Sequence, residues 1–576
     1  MADSSQQRLP FEAAARAKAA TAASPPRAGR RGGGRKDRPG RRKPSSGAEE
    51  HPSSAPGGRV SAESLASGQR EISVSEFFAK NRHLLGFDNP AKALLTTVKE
   101  LVDNALDAAD EARIPADIDL RIEMRAEDRF RVTCSDNGPG IVRRNLPNVF
   151  GKLLYGSKFH RLKMSRGQQG IGVSAAGMYG LLTTGRPVRV ISRTSPRRKA
   201  LAIELQIDTR RNQPKVSRSE EVDWNRDHGT EVSIELEATY RKGQHSVDSY
   251  LLQVSLANPH ATLRYWPPDC EGDEPRCFER VTRILPPETG EIRPHPYGVE
   301  VGVLLQMLHE TRSRNLSGFL TQEFSRVSPR IAHQICERAG LPPSRRPHAL
   351  QRAEAVKLHA GIAGTKIMAP PTDCIAPIGE ELLMKALAAA GSGDFVTAVT
   401  RRPTVYRGNP FLVEAALRYG GSLAADETIT AYRFANRVPL QYQQGACAIT
   451  RAITSIDWKS YGLQQPRGAL PVGPMILGVH IASVWVPFTS ESKEAIAHYP
   501  EIIKEIRLAL QDCGRRLATH IRRRRREADE AKKRSYIEKY IPHVAIALQE
   551  ILGLEDRARE RTIETLTGVL ERSRKP

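Results

Sequence analysis

Apolar residues recur at helical spacing between positions 90 and 109. Leu94, Leu101 and Leu106, with alanines between them, supply one face. Asn89-Pro90 places a capping side chain before a proline in the first turn, and Ile114-Pro115 ends the run. The stretch 130–134 (Phe-Arg-Val-Thr-Cys) alternates like a strand, and 187–192 and 200–207 alternate or run apolar, also as strands. His228-Gly229-Thr230-Glu231-Val232 reads as a turn into another strand. Residues 267–297 are dense in Pro, Gly and charge and predict a loop and a boundary. The pattern is then helical over 298–370: Ser328-Pro329 opens a helix that Gly340 ends, Pro342-Pro343 makes a turn, and helical spacing resumes over 348–359. From 371 to about 500 strands return, at 395–399, 429–434 and 476–486. Pro500 precedes a long helical stretch, and 546–576 read as one further helix and a polar tail.

Composition adds a boundary at the N-terminus. Residues 1–70 are rich in Ala, Pro, Gly, Ser and Arg and poor in large apolar side chains, so they predict disorder. Their basic cluster at 27–43 suits a nucleic-acid tether, a nuclear signal or a solvated charge run equally well. The chain has 576 residues, enough for about four domains at ~150 each. Lys plus Arg number 88 and Asp plus Glu 65, a net charge of +23. The resulting pI near 9.9 favours a polyanionic partner such as nucleic acid. Seven scattered cysteines argue for a reducing compartment and against a disulfide framework. Cys270 and Cys277 are too far apart in sequence for a tight zinc knuckle. No apolar run approaches the ~18 residues that span a bilayer, and no secretory segment opens the chain, so a soluble intracellular protein without membrane contact is expected.

Three polar clusters carry candidate chemistry. Glu100 and Asn104 lie four apart on the first helix and project from one side, with Asp103 and Asp107 beside them. By itself this is a solvated acidic face. A strand then leads into Asp136-Asn137-Gly138-Pro139-Gly140, where two glycines let backbone approach a ligand. About thirty residues on, Arg166-Gly167-Gln168-Gln169-Gly170-Ile171-Gly172-Val173 supplies backbone N–H groups and a helix N-terminus suited to phosphates. Each cluster alone is weak; the ordered set is specific.

That set resembles the Bergerat (GHKL) nucleotide-binding fold of gyrase, the ninety-kilodalton heat-shock chaperones, sensor histidine kinases and mismatch-repair ATPases. Leu154-Tyr155-Gly156-Ser157-Lys158-Phe159-His160, the loop from Arg166 to Val173 and the late stretch Val486-Pro487-Phe488-Thr489-Ser490-Glu491-Ser492-Lys493-Glu494-Ala495-Ile496-Ala497 narrow the resemblance to the B subunit of DNA topoisomerase VI, over roughly 71–545. The resemblance implies a multidomain α+β architecture. A basic extension (1–70) would precede an ATP-binding α/β sandwich (71–297) and a helix-two-turn-helix insert (298–370). A transducer α/β domain with a crossover βαβ (371–545) and a C-terminal helix and tail (546–576) would follow.

The resemblance also implies roles. Glu100 would activate water and Asn104 would give Mg²⁺ a hard oxygen. Asp136 would accept from the adenine amino group, with Gly138 and Gly140 allowing the base to approach and Thr230 touching the aspartate or its water. Residues 166 to 173 would wrap the triphosphate of ATP, with Ser157 and Lys158 at the edge. Lys493 would reach the γ-phosphate from the transducer, so that its partner vanishes on hydrolysis. The implied function is the ATP-hydrolysing half of a DNA strand-passage machine that dimerises on ATP. It would act with a DNA-cleaving A subunit in an A2B2 heterotetramer, in a cytoplasmic, nucleoid-associated setting (nuclear if eukaryotic). The basic arginines of the helical insert and the run Arg522-Arg523-Arg524-Arg525-Arg526 fit DNA contact or plain solvation; like charges four apart repel by ~0.2–0.5 kcal/mol. Three other readings compete. A mismatch-repair-type clamp would lack the helical insert. A non-enzymatic relative would have a decayed ATP site, against which Glu100, Asn104, Asp136 and Lys493 stand intact. A sensor kinase would need a phospho-accepting histidine helix upstream.

Overall fold

The computed structural model describes residues 62–67, 69, 71–158, 161–167, 170–270, 274–553 and 555–572. Most of the extension expected to be disordered (1–61, 68 and 70) lies outside the described residues.

Asn89 caps the first long helix, Pro90–Glu111: its side chain accepts from the Lys92 N–H at 2.9 Å. The helix buries Leu94, Val98, Leu101, Ala105 and Leu106 against an eight-stranded sheet. The strands are β1 (Asp117–Ala126), β2 (Arg129–Ser135), β3 (Val188–Arg193), β4 (Ala200–Asp208), β5 (Gln213–Val222), β6 (Gly229–Glu237), β7 (Thr262–Trp266) and β8 (Arg276–Phe278). Their spatial order is β5-β4-β3-β6-β2-β1-β7-β8, antiparallel except that β1 and β7 run parallel. Ile118, Leu120 and Ile122 alternate inward from β1 onto the face that carries the main core, while Ile191, Ala200 and Ala202 form a small cluster on the other face. Helices Gly172–Thr184 and Val247–Ala257 pack beside the first helix on the main-core face. The stretch 267–297, read as loop, contains β8. Its pairing with β7 is a long-range bond that local Pro and Gly content does not reveal.

Four helices follow, not two: Val301–Glu310, Leu316–Glu323, Pro329–Ala339 and Arg352–Gly364. Ser328 caps the third, and Gly340, at φ 65°, ends it in the left-handed conformation. The fourth starts at Arg352, not 348, because Pro347 sits in a separate 3₁₀ turn and Gln351 and Glu354 form a reciprocal capping box. Leu304, Phe319, Phe324, Ile335 and Leu358 make a core separate from the first.

The second sheet contains β9 (Phe395–Thr400), β10 (Thr404–Tyr406), β11 (Asn409–Tyr419), β12 (Thr430–Ala435), β13 (Val438–Pro439) and β14 (Met475–Ser483). Its order is β10-β11-β14-β12-β13, with β9 also on β11. β12 and β14 run parallel, joined across helix Ala448–Thr454 as a βαβ crossover. Both faces are covered. Ala416 and Ile476 pack against helix Glu380–Ala389, while Ala415, Leu417, Leu477 and Val479 meet the start of helix Pro500–Leu552. That explains why β11 reads as a near-continuous apolar run.

Helix Pro500–Leu552 runs 53 residues, past position 545, and ends at Gly553 with φ 61°. Residues 522–526 are exposed on it. Helix Asp556–Arg572 packs back onto its end, where Ile541 and Ala545 are buried. All seven cysteines are free. Among the described residues no helix is long and apolar enough to cross a membrane.

Candidate functional site

Helical spacing puts Glu100 and Asn104 on one side of Pro90–Glu111, and both line a cavity of about 570 Å³. Asn104 is exposed; its Nδ2 donates to the Glu100 carbonyl at 2.6 Å, which leaves its side-chain oxygen for other partners. Gly172, the first residue of helix Gly172–Thr184, faces the Glu100 carboxylate so closely that a Cβ there would lie 1.7 Å from Oε2. A glycine is required for the acid and the helix N-terminus to meet. Ser157, Lys158, Gly167, Gly170, Ile171 and Val173 line the same cavity. Gln168, Gln169, Phe159 and His160 lie outside the described residues.

Asp103, one turn from Glu100, faces inward and is buried, accepting from the Tyr250 hydroxyl at 3.2 Å. Burial pushes its carboxyl up to about 7, against the pull of Lys99.

The Asp136 loop follows β2. Asp136 is buried, and its Oδ1 accepts from the N–H groups of Gly138 (2.8 Å) and Thr230 (3.1 Å). Burial raises its pKa to about 6, while those two N–H groups pull it back. Thr230 touches the aspartate through its backbone; its hydroxyl meets Ser192 at 3.2 Å. Gly140 has φ 69°, and a Cβ on it would lie 2.1 Å from the Arg193 carbonyl. Asp136, Gly138, Gly140 and Thr230 do not line this cavity, whereas Ile141 and Asn145, a few residues on, do.

Arg166 takes a position that its place in the motif does not convey. Its guanidinium is buried and committed to Asp107 (3.0 Å), Asp110 (2.7 Å) and Asn258. Lys158 joins at 2.8 Å from Asp107 and 3.1 Å from Glu111, and the Gly167 N–H donates to Asp107 at 3.2 Å. Burial pushes Asp107 up, but Lys158 and Arg166 outweigh it and hold the carboxyl below its usual range. The acidic helix thus anchors the start of the glycine loop through Asp107 and Asp110. Nothing in the spacing distinguishes these two acids from a solvated face.

The far wall comes from the second sheet's domain. Lys493 adopts φ 53°, and its Nζ donates to the Arg166 carbonyl at 3.1 Å. Burial draws its pKa below the ordinary lysine value, and the charge of Glu100 opposes that. Lys99 Nζ reaches the Ser492 carbonyl at 3.4 Å, and Lys92 pairs with Glu494 at 2.7 Å. Asn436, at the β12–β13 turn, donates to the Ser165 carbonyl at 3.1 Å. Gln441 and Tyr442 also line the cavity, and no motif pointed to either. Among the described residues no cluster of three or more His, Cys, Asp or Glu forms a metal cage. Asp117 and Asp119 are instead paired with arginines, Arg280 at 2.7 Å from the first and Arg264 at 2.6 Å from the second.

An acid at a helix N-terminus, a glycine loop and a cation carried in from a second domain make a half-open site suited to a polyphosphate. Comparison with known proteins agrees. The family described as "Histidine kinase-, DNA gyrase B-, and HSP90-like ATPase" matches residues 89–240. The family described as "Topoisomerase VI B subunit, transducer" matches residues 370–533. The B subunit of type 2 DNA topoisomerase 6 from Methanosarcina mazei is 49% identical over 492 residues, covering 85% of this chain and 79% of that protein. The protein of the same name from Archaeoglobus fulgidus is 46% identical over 507 residues, covering 88% and 83%. That of Natronomonas pharaonis is 34% identical, covering 89% and 88%.

Proposed function

The chain belongs to the family of type 2 DNA topoisomerase 6 B subunits, and from that footing we propose how its cavity and its two domains work together. It is the ATP-hydrolysing B subunit of a type IIB DNA topoisomerase, and the GHKL domain binds ATP.

In our reading the triphosphate lies along the glycine loop from Gly167 to Val173, with the helix N-terminus at Gly172 facing its charge. Glu100 accepts a proton from the attacking water, whose oxygen bonds to the γ-phosphorus while the bond to the β,γ-bridging oxygen breaks. The tight seat of Glu100 against Gly172 supports this, because it sets the acid at the phosphate end. Asn104 fits Mg²⁺: it is exposed, it lines the cavity, and its side-chain oxygen is not consumed by the bond to Glu100. When bound, Mg²⁺ would offset phosphate charge. Asp136, Gly138, Gly140 and Thr230 would read adenine. Ser157 and Lys158 edge the phosphates. Arg166 serves by fixing the loop.

The observation that carries the coupling is the bond from Lys493 to the Arg166 carbonyl, across the domain boundary and inside the cavity. A γ-phosphate offers that ammonium a charged partner in place of a neutral carbonyl. Hydrolysis removes it, so the angle between domains follows nucleotide state. Two such chains would dimerise on ATP and, with two DNA-cleaving A subunits, pass one DNA segment through another at the nucleoid.

Mass photometry of the full chain with and without AMP-PNP and Mg²⁺ tests the gate: a monomer that becomes a dimer only with nucleotide is expected. Glu100→Ala should abolish steady-state ATP turnover while nucleotide binding persists. Unchanged turnover would remove Glu100 as the base.

A further inference from the structure

Two loops of the transducer face the cavity, and a single buried guanidinium ties them together. Arg433, on β12, is 2% exposed. Its Nη2 donates to the carbonyls of Leu440 (3.0 Å) and Tyr442 (2.9 Å), and its Nη1 to that of Glu494 (3.3 Å). It therefore holds the backbone on both sides of Gln441 and the residue after Lys493. The fork of a guanidinium fixes the two loops relative to one another in a way a point charge does not.

Gln441 lines the cavity with Glu100 and Lys493. It is 9% exposed, and its Nε2 is buried with no hydrogen-bond partner among the described residues. A buried amide donor left unpaired is costly, and in a native site it calls for a partner. The His245 ring, stacked on Tyr442 at 4.7 Å, interacts with the Gln441 side chain. The missing partner is therefore an acceptor that arrives with a ligand.

We propose that Gln441 is a second transducer residue that binds the nucleotide, its amide donating to a γ-phosphate oxygen, with Arg433 as the positioning residue that sets Gln441 and Lys493 together. This rests on the ATPase reading above. ADP lacks the acceptor, so Gln441 and Lys493 jointly distinguish ATP from ADP.

Calorimetric titration of the full chain with Mg²⁺–AMP-PNP and with ADP tests it on Gln441→Leu, which removes the donor, and Gln441→Glu, which keeps the shape and repels phosphate. Thermal unfolding of each variant verifies that it is folded. The expected result is an AMP-PNP affinity lowered at least about tenfold by Gln441→Leu, and further by Gln441→Glu, with ADP affinity within about twofold. Arg433→Lys keeps the charge but not the fork and should show the same selective loss. Unchanged AMP-PNP affinity, or equal loss for both nucleotides, overturns the inference while the wild type still binds ATP. A wild-type chain that binds neither nucleotide overturns the ATPase reading itself.

Discussion

Replacing Arg166 separates a structural cation from a phosphate-binding one. In Arg166→Met the side-chain volume is kept and the charge removed. Asp107 retains Lys158 and the Gly167 N–H, and Asp110 retains His260 at 2.9 Å. Both acids still lose a buried partner. Breaking a buried ion pair from one side costs about 3–5 kcal/mol, and the remaining partners put the expected loss near the lower end, about 3 kcal/mol. Against a typical domain stability of roughly 5–15 kcal/mol that is a large fraction.

The pH dependence follows from Asp110. Burial pushes its carboxyl up, but Arg166 and His260 outweigh it and hold it below the ordinary range. A lowered pKa contributes stability that is complete above the unfolded value of 3.8 and is lost as pH falls through the folded one. Without Arg166 that contribution disappears. The deficit of the variant is then full down to about pH 4 and narrows only as pH falls below the unfolded value of 3.8 toward the lowered folded one. Urea unfolding of both proteins at pH 7.5 and at pH 3 reads this directly. A loss under about 1 kcal/mol at pH 7.5, accompanied by a selective fall in ATP affinity, would place the guanidinium on the nucleotide and refute the assignment.

Lys493→Ala should weaken AMP-PNP binding by about 10- to 100-fold, the weight of one hydrogen bond to a charged group, and leave ADP nearly untouched; equal losses would count against a γ-phosphate contact. Gly172→Ala should keep the fold but sharply lower ATP turnover. The new Cβ displaces only the mobile end of Glu100, so Tm changes little while the acid leaves its seat, and wild-type turnover would contradict that geometry. Asp103→Asn should be more stable than the wild type at pH 8. The raised carboxyl, at about 7 against 3.8, makes the folded state bind its proton more tightly. Stability therefore falls as pH rises from about 4 to about 7, by up to about 4 kcal/mol, and the amide abolishes that slope. Thermal melts at pH 5 and pH 8 decide it.

Local sequence determined the elements whose signals are local. The Asn89 cap with Pro90, and Ser328 with Gly340, mark helix ends by bonds and backbone angles that involve only neighbouring residues. The period-two runs in β2 and β4 likewise report which residues face a core. Where the partner is distant, the local pattern failed. β8 exists through its pairing with β7. The helical insert has four helices because a shared core around Phe319 and Ile335 holds the short ones. The long helix continues past 545 because helix Asp556–Arg572 covers Ile541 and Ala545.

The candidate site divides along the same line. The spacing of Glu100 and Asn104 and the glycines of the loop were legible, since helix geometry and the φ range of glycine are properties of a few consecutive residues. Which acids hold Arg166, why Asp136 is buried, and how Lys493 and Gln441 come to one cavity with Glu100 were decided by packing. Lys99 and Ser492 are 393 positions apart and touch. Burial sets whether a charge is paired, shifted or solvated, and burial belongs to the assembled domains, not to any stretch of chain.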